Sequence, residues 1–242
     1  MFDREQFEKE KQENIKKIYK NPTIQGSALE FIKHSDKLNY GYNWTWLNLP
    51  IIQMPEDIIL AQEIIWETKP DVIIETGIAW GGSVILYASI LELIGKGRVY
   101  AIDKVLPQKN IDIIMSYNFS HRISLFEGSS TDNKVVKAIS SLIKPTDKVM
   151  VLLDSNHTHE HVLNELTTWS SFVTPGNYLV VSDTIVEEIP TQTHRVRPWG
   201  PGNNPLTALE KFLEKDTNFT RENLYNFKAI NSFTRNGYLK RS

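Results

Sequence analysis

Five apolar runs of strand length, each closed by an acidic residue, constrain this chain more than any other feature. They are Val72-Ile73-Ile74-Glu75, Arg98–Asp103, Ile123–Glu127, residues 148–154 ending in Asp154, and residues 177–183 ending in Asp183. Continuous rather than alternating apolar runs are what strands buried on both faces require. The stretches between them are long enough for helices, as in chains that build a parallel sheet. The expectation is therefore an α/β fold with a doubly wound parallel sheet covered on both faces.

The helices are expected at residues 55–68, 83–94, 135–142, 160–172 and 204–213. Pro55, Glu56 and Asp57 suit a first helical turn, and Gly95-Lys96-Gly97 stops the second helix. Phe227-Lys228-Ala229-Ile230 and Gly237-Tyr238-Leu239-Lys240 read as two final strands. Ahead of them, residues 190–205 are rich in Pro, Gly, Asn and Arg and read as a long loop. Residues 3–20 read as a charged helix with a thin apolar stripe of Phe7, Ile15, Ile18 and Tyr19, followed by the aromatic segment from Tyr40 to Leu47. Two regions follow: an N-terminal helical extension and substrate-side segment over 1–54, and the sheet domain over 55–242.

Composition excludes several classes. At 242 residues and 40% hydrophobic, the chain buries a large core without disulfides or a structural metal. It has no cysteine, so thiolate zinc sites, iron–sulfur clusters and cysteine nucleophiles are out. The 27 basic and 29 acidic residues are spread along the chain, leaving no electrostatic footprint for nucleic acid. Met1-Phe2-Asp3-Arg4-Glu5 lacks the apolar core of a signal peptide, and no apolar stretch reaches membrane length. No membrane insertion and a cytoplasmic location are the expectations.

In an open parallel sheet, ligands sit beyond the carboxyl ends of the strands. Glu75 closes the first strand, Gly77, Ala79, Gly81 and Gly82 make the turn, and Ser83 starts a helix. Asp103, at the end of the second strand, suits the two hydroxyls of a ribose, and Gly128-Ser129-Ser130 follows the third strand where an adenine would lie. The spacing G-x-x-x-G-G-S departs from the dinucleotide fingerprint G-x-G-x-x-G. An acid before the loop repels a pyrophosphate but engages the ammonium of a methionine moiety. S-adenosylmethionine is thus favoured over a nicotinamide dinucleotide. An NAD-dependent oxidoreductase and a non-catalytic scaffold of the same fold remain the alternatives.

The string Ile74-Glu75-Thr76-Gly77-Ile78-Ala79-Trp80-Gly81-Gly82-Ser83, with Leu153-Asp154-Ser155-Asn156-His157-Thr158-His159-Glu160-His161-Val162, resembles the cephalosporin hydroxylase family, which includes rhamnosyl O-methyltransferases. Pro50-Ile51-Ile52-Gln53, the stretch from Arg197 to Pro205 and that from Asn236 to Arg241 fit it too, so the likeness runs from about residue 38 to the C-terminus. The resemblance implies a Rossmann-like methyltransferase sheet and methyl transfer to a hydroxyl of a small polar acceptor, as in carbohydrate or antibiotic biosynthesis. It further implies a magnesium ion in many members and a homo-oligomer.

Methyl transfer needs donor and acceptor aligned and a proton removed. Asp154 and Asp183, on adjacent strand ends, are candidate magnesium ligands, with Ser182 standing where metal-dependent relatives carry a glutamate. The same two acids otherwise cap loops or bind the amino-acid end of the cofactor, for which Asp154 is a candidate. His157, at the offset of a catalytic lysine in the similar catechol O-methyltransferases, is the candidate base, with Asp154 beside it. A zinc site of His157, His159 and His161 is disfavoured, because Thr158 reads as a helix cap between them. Tyr42, Trp44 and Trp46 are candidates for an acceptor wall, with core packing the alternative for each. Arg195, Arg197 and Trp199 lie in the long loop, which would close over the substrate or contact another subunit.

Overall fold

A computed structural model describes residues 3–242; Met1 and Phe2, which open the charged N-terminal stretch, lie outside the described residues. Helices α1 (Arg4–Tyr19) and α2 (Pro22–Asp36) lead into a small antiparallel pair, β1 (Trp44–Trp46) and β2 (Leu49–Ile51). Then come α3 (Pro55–Thr68), β3 (Val72–Thr76), α4 (Gly82–Ile94), β4 (Arg98–Asp103), α5 (Gln108–Met115), β5 (Ile123–Glu127), α6 (Asn133–Ser140) and β6 (Val149–Leu153). The chain ends with α7 (His159–Trp169), β7 (Tyr178–Val181), α8 (Pro205–Leu213), β8 (Phe219–Arg221), α9 (Asn223–Lys228) and β9 (Tyr238–Arg241).

The large sheet runs β5-β4-β3-β6-β7-β9-β8. Its first five strands are parallel, and β9 is antiparallel to both β7 and β8. Strand order reverses between β3 and β6, so their carboxyl ends open the crevice where such sheets bind ligands. Strands β3, β6 and β7 are buried along their whole length, which explains their unbroken apolar sequence. One face packs on α3 and α4 through residues such as Ile64, Ile85 and Leu91, the other on α6, α7 and α8 through Ile139, Leu166, Trp169 and Leu209.

Pro55 opens α3 and the Gly95 C-cap closes α4, as read from the sequence. Two helices had no reading. In α2, Asn21 caps the first turn by accepting from Thr23 and Ile24, and Ala28, Ile32 and Asp36 are buried; α5 buries only Ile114. Residues 227–230 do not form a strand. They continue and follow α9, because Tyr225 and Ala229 bury one helical face while the Asn226 amide bonds the Tyr238 backbone. The strand beside β9 is instead Phe219–Arg221. Helix α1 buries no residue and is held at its end by Tyr19 stacking on Phe227, with ring centroids 4.1 Å apart. Among the described residues no helix is long and apolar enough to cross a membrane.

Candidate active site

The crevice at the β3/β6 switch holds a cavity of about 250 Å³. One wall is the turn from β3 into α4. Gly77 has φ +80°, and a Cβ there would lie 2.2 Å from the carbonyl oxygen of Asp154. A Cβ on Gly82 would lie 2.2 Å from the Pro50 carbonyl oxygen. Only glycine lets this turn thread between the end of β6 and the strand β2. Ala79 also takes a positive φ of 46°, and Gly81 caps α4 at φ +89°.

Asp103 holds this turn. Its Oδ2 accepts from the Ile78 and Ala79 N–H groups at 2.9 and 3.1 Å, and Oδ1 accepts from Val105 at 3.2 Å. A carboxylate has about four acceptor positions, so about one remains for a ligand's hydroxyl. Glu75 stands behind the wall, 1% exposed, and neither of its carboxyl oxygens has a hydrogen-bond partner. Burial pushes its pKa up to about 8; the nearby Ser83 hydroxyl opposes the rise and the Asp103 charge adds to it. Ser129 does not line the cavity, and its hydroxyl lies 3.1 Å from that of Thr131.

On the opposite rim, ligand atoms of Asp154, His157 and Asp183 lie within 4.8 Å of one another. His157 Nε2 is 3.0 Å from Asp183 Oδ2. Burial, then the Asp183 charge, holds the Asp154 carboxyl well above the usual range. Ser182 is buried and does not line the cavity. Its N–H donates to Leu153 as β7 ends, and Asp183 turns into the cavity in a left-handed conformation with φ 55°. His157 stands third beside the two acids. The other histidines do not converge: His159 Nδ1 is 2.8 Å from the Thr207 hydroxyl, and His161 Nε2 is 3.1 Å from that of Ser155. Thr158 is the N-cap residue of α7, but its hydroxyl donates to Asn156 Oδ1 at 2.8 Å instead of capping the helix.

Tyr42 and Trp199 line the cavity, and the Trp199 ring meets His157 edge to face at 4.8 Å. Arg197 lies 5.2 Å over Trp199 and donates to the Tyr42 hydroxyl at 3.3 Å. Arg195 lies 5.0 Å over Tyr42 and pairs with Asp36, to which Gln192 also donates. The long loop is thus folded onto the end of α2. Trp44 and Trp46 do not line the cavity. They share one face of β1, as residues two apart must, and that face packs on the core. Trp46 Nε1 donates to Ser89 of α4 at 3.0 Å, and Trp44 packs edge-on against Tyr40. Asp36 and Gln53 line the cavity without having been singled out as site residues. Gln53 lies in the family-like string Pro50-Ile51-Ile52-Gln53, whereas nothing local marks Asp36.

Residues 38–242 match the model of the family described as rhamnosyl O-methyltransferase/CmcI. Similar curated proteins include a rhamnosyl O-methyltransferase of Mycobacterium bovis, 30% identical over 72% of this chain and 68% of that one. Another, from Mycobacterium leprae, is 28% identical over 84% of this chain and 86% of its own. Among solved structures, one of CmcI with magnesium and S-adenosylmethionine shares the fold at a TM-score of 0.58 and 16% identity, over 83% of this chain and 77% of that one. A putative caffeoyl-CoA O-methyltransferase from Staphylococcus aureus does so at 0.55 and 15%, over 79% and 84%. The family match spans the whole large sheet and both walls of the cavity: this chain belongs to the rhamnosyl O-methyltransferase/CmcI family and is a methyltransferase.

Proposed function

We propose that the chain transfers a methyl group from S-adenosylmethionine to a hydroxyl of a small polar acceptor, a glycosyl unit or a secondary metabolite, with magnesium at the acidic rim. One observation carries this reading: a single cavity joins the Gly77–Ser83 turn and Asp103 to the cluster of Asp154, His157 and Asp183. The residues suit both groups. Glu75 is a buried carboxyl without a partner, as a site for an ammonium requires. Asp154 and Asp183 face each other closely enough to repel, and a hard divalent cation held by carboxylates relieves that.

When bound, S-adenosylmethionine supplies an electrophilic methyl group, and magnesium lowers the pKa of the acceptor hydroxyl. The chain aligns the two reactants and takes the proton. Glu75 holds the ammonium and Asp103 a ribose hydroxyl. Asp154 and Asp183 hold the cation. His157 removes the proton, and Asp183 fixes the orientation and tautomer of its imidazole, as a carboxylate does for other catalytic histidines. Trp199, edge-on to His157, and Tyr42 provide faces for a sugar ring, and the Asp36–Arg195 pair keeps the loop over them. Ile24 and Phe31, exposed and seven residues apart on α2, support a homo-oligomer built on that helix.

Calorimetry with S-adenosylmethionine and, separately, NADH tests the reading. Micromolar affinity for the first and none for the second is the expected result, and the reverse would overturn it. For the base, His157→Ala is expected to lower methyl transfer to a rhamnoside acceptor by about 10²- to 10⁴-fold, the usual contribution of general base catalysis. Cofactor affinity, measured alongside, should stay within about two-fold, since the imidazole lies on the acceptor rim. An unchanged turnover would remove His157 from proton transfer.

A further inference from the structure

Gln53 lies two residues beyond β2, on the segment whose backbone packs against Gly82 at the start of α4. Its Nε2 donates to the Tyr87 hydroxyl at 3.5 Å. Its Oε1 is buried and has no partner, although Gln53 lines the cavity. Tyr87 is fully buried on α4, one turn after Ser83 and on the same helical face. Burial and the nearby Glu75 charge hold the Tyr87 hydroxyl protonated. Three buried acceptors at this junction thus lack a donor: both carboxyl oxygens of Glu75 and Oε1 of Gln53.

Leaving a buried polar atom unpaired costs free energy, so such a group of acceptors points to a ligand that brings donors. A primary ammonium brings three N–H donors and no acceptor. A water or a hydroxyl brings at most two donors together with its own lone pairs, and does not, as a cation does, favour the ionised form of Glu75.

We propose that Gln53 is a cofactor-binding residue, its Oε1 accepting a hydrogen bond from the ammonium of the amino-acid end of S-adenosylmethionine beside Glu75. This rests on the reading of the cavity as an S-adenosylmethionine site. Tyr87 acts as a positioning residue that holds the Gln53 amide. Glu75 supplies the charge and Gln53 the direction, so the sulfonium is held at a set distance from the Asp154–His157–Asp183 rim.

The test compares S-adenosylhomocysteine, which keeps the amino-acid end, with methylthioadenosine, which lacks it. Gln53→Met keeps the side-chain length and removes the acceptor. Calorimetry should show S-adenosylhomocysteine weakened by about 10- to 100-fold, the range for hydrogen bonds to charged groups, with methylthioadenosine changed less than about two-fold. Tyr87→Phe, in an otherwise unaltered site, should show a smaller loss with the same selectivity. If both ligands weaken equally in these variants, or neither weakens, the role of Gln53 is overturned while the cofactor site stands. If the unaltered chain binds neither ligand, the reading of the cavity as an S-adenosylmethionine site falls, and this role with it.

Discussion

Replacing Asp154 by asparagine should lower methyl transfer by about 10²- to 10³-fold, the usual cost of removing one preorganised electrostatic group, and should raise the thermal midpoint of the metal-free protein. Both effects follow from one geometry. The Asp154 carboxyl is half-buried in the cavity wall and faces Asp183, and desolvation and the Asp183 charge, in that order, lift its pKa well above the usual carboxylate value. A carboxyl whose folded pKa exceeds its unfolded one adds stability below the unfolded pKa and loses it as pH rises through the folded value. Wherever Asp154 is ionised, the metal-free protein therefore carries an uncompensated repulsion. Asparagine has nearly the same shape and no charge, so it relieves that repulsion while removing a ligand. Magnesium should raise the midpoint of the unaltered chain by ligand linkage and leave that of Asp154→Asn almost unmoved. Melting curves with and without magnesium, beside turnover, check this; equal magnesium responses in the two proteins would show that Asp154 does not hold the ion.

The elements legible in the sequence are those whose burial is two-sided. Val72 to Thr76, Val149 to Leu153 and Tyr178 to Val181 read as strands because every position is covered, leaving an unbroken apolar run. The acids closing those runs then marked both walls of the cavity, since parallel strands deliver their ends to one rim. Elsewhere the deciding contact is distant in sequence. A four-residue apolar run such as Phe227–Ile230 is too short to show a period, and the Asn226 amide on the Tyr238 backbone settles it as part of a helical turn. Trp44 and Trp46 have the composition of a binding wall, but the pairing of β1 with β2 and the Ser89 hydroxyl on α4 turn them inward. The Asp36–Arg195 pair spans 159 residues and had no local signal. His157 shows the same limit: it lies 26 residues before Asp183 in sequence, and only the fold brings its Nε2 to 3.0 Å from Asp183 Oδ2.

Glu75→Gln is expected to separate folding stability from cofactor binding. Glu75 has a folded pKa of about 8, raised chiefly by burial, against ~4.3 for an exposed glutamate. Because the folded value is the higher one, its contribution to stability is fully present below ~4.3 and declines as pH rises toward the folded value. The cofactor-free chain should thus lose on the order of a few kcal/mol across that window through Glu75. Glutamine does not ionise, so Glu75→Gln should melt at a nearly constant temperature through the same window and above the unaltered chain at its alkaline end. Binding should respond in the opposite sense. An ammonium beside Glu75 favours the carboxylate, so cofactor binding by the unaltered chain releases a proton and strengthens as pH rises toward the folded value. Calorimetry in buffers of different ionisation enthalpy measures that proton directly. Glu75→Gln should release none and bind S-adenosylmethionine about 100-fold or more weakly, the loss expected when one partner of a buried charge pair becomes neutral. Equal affinities for the two proteins, or an unaltered chain that releases no proton, would place the ammonium elsewhere in the cavity and leave the buried, unpaired Glu75 without a ligand.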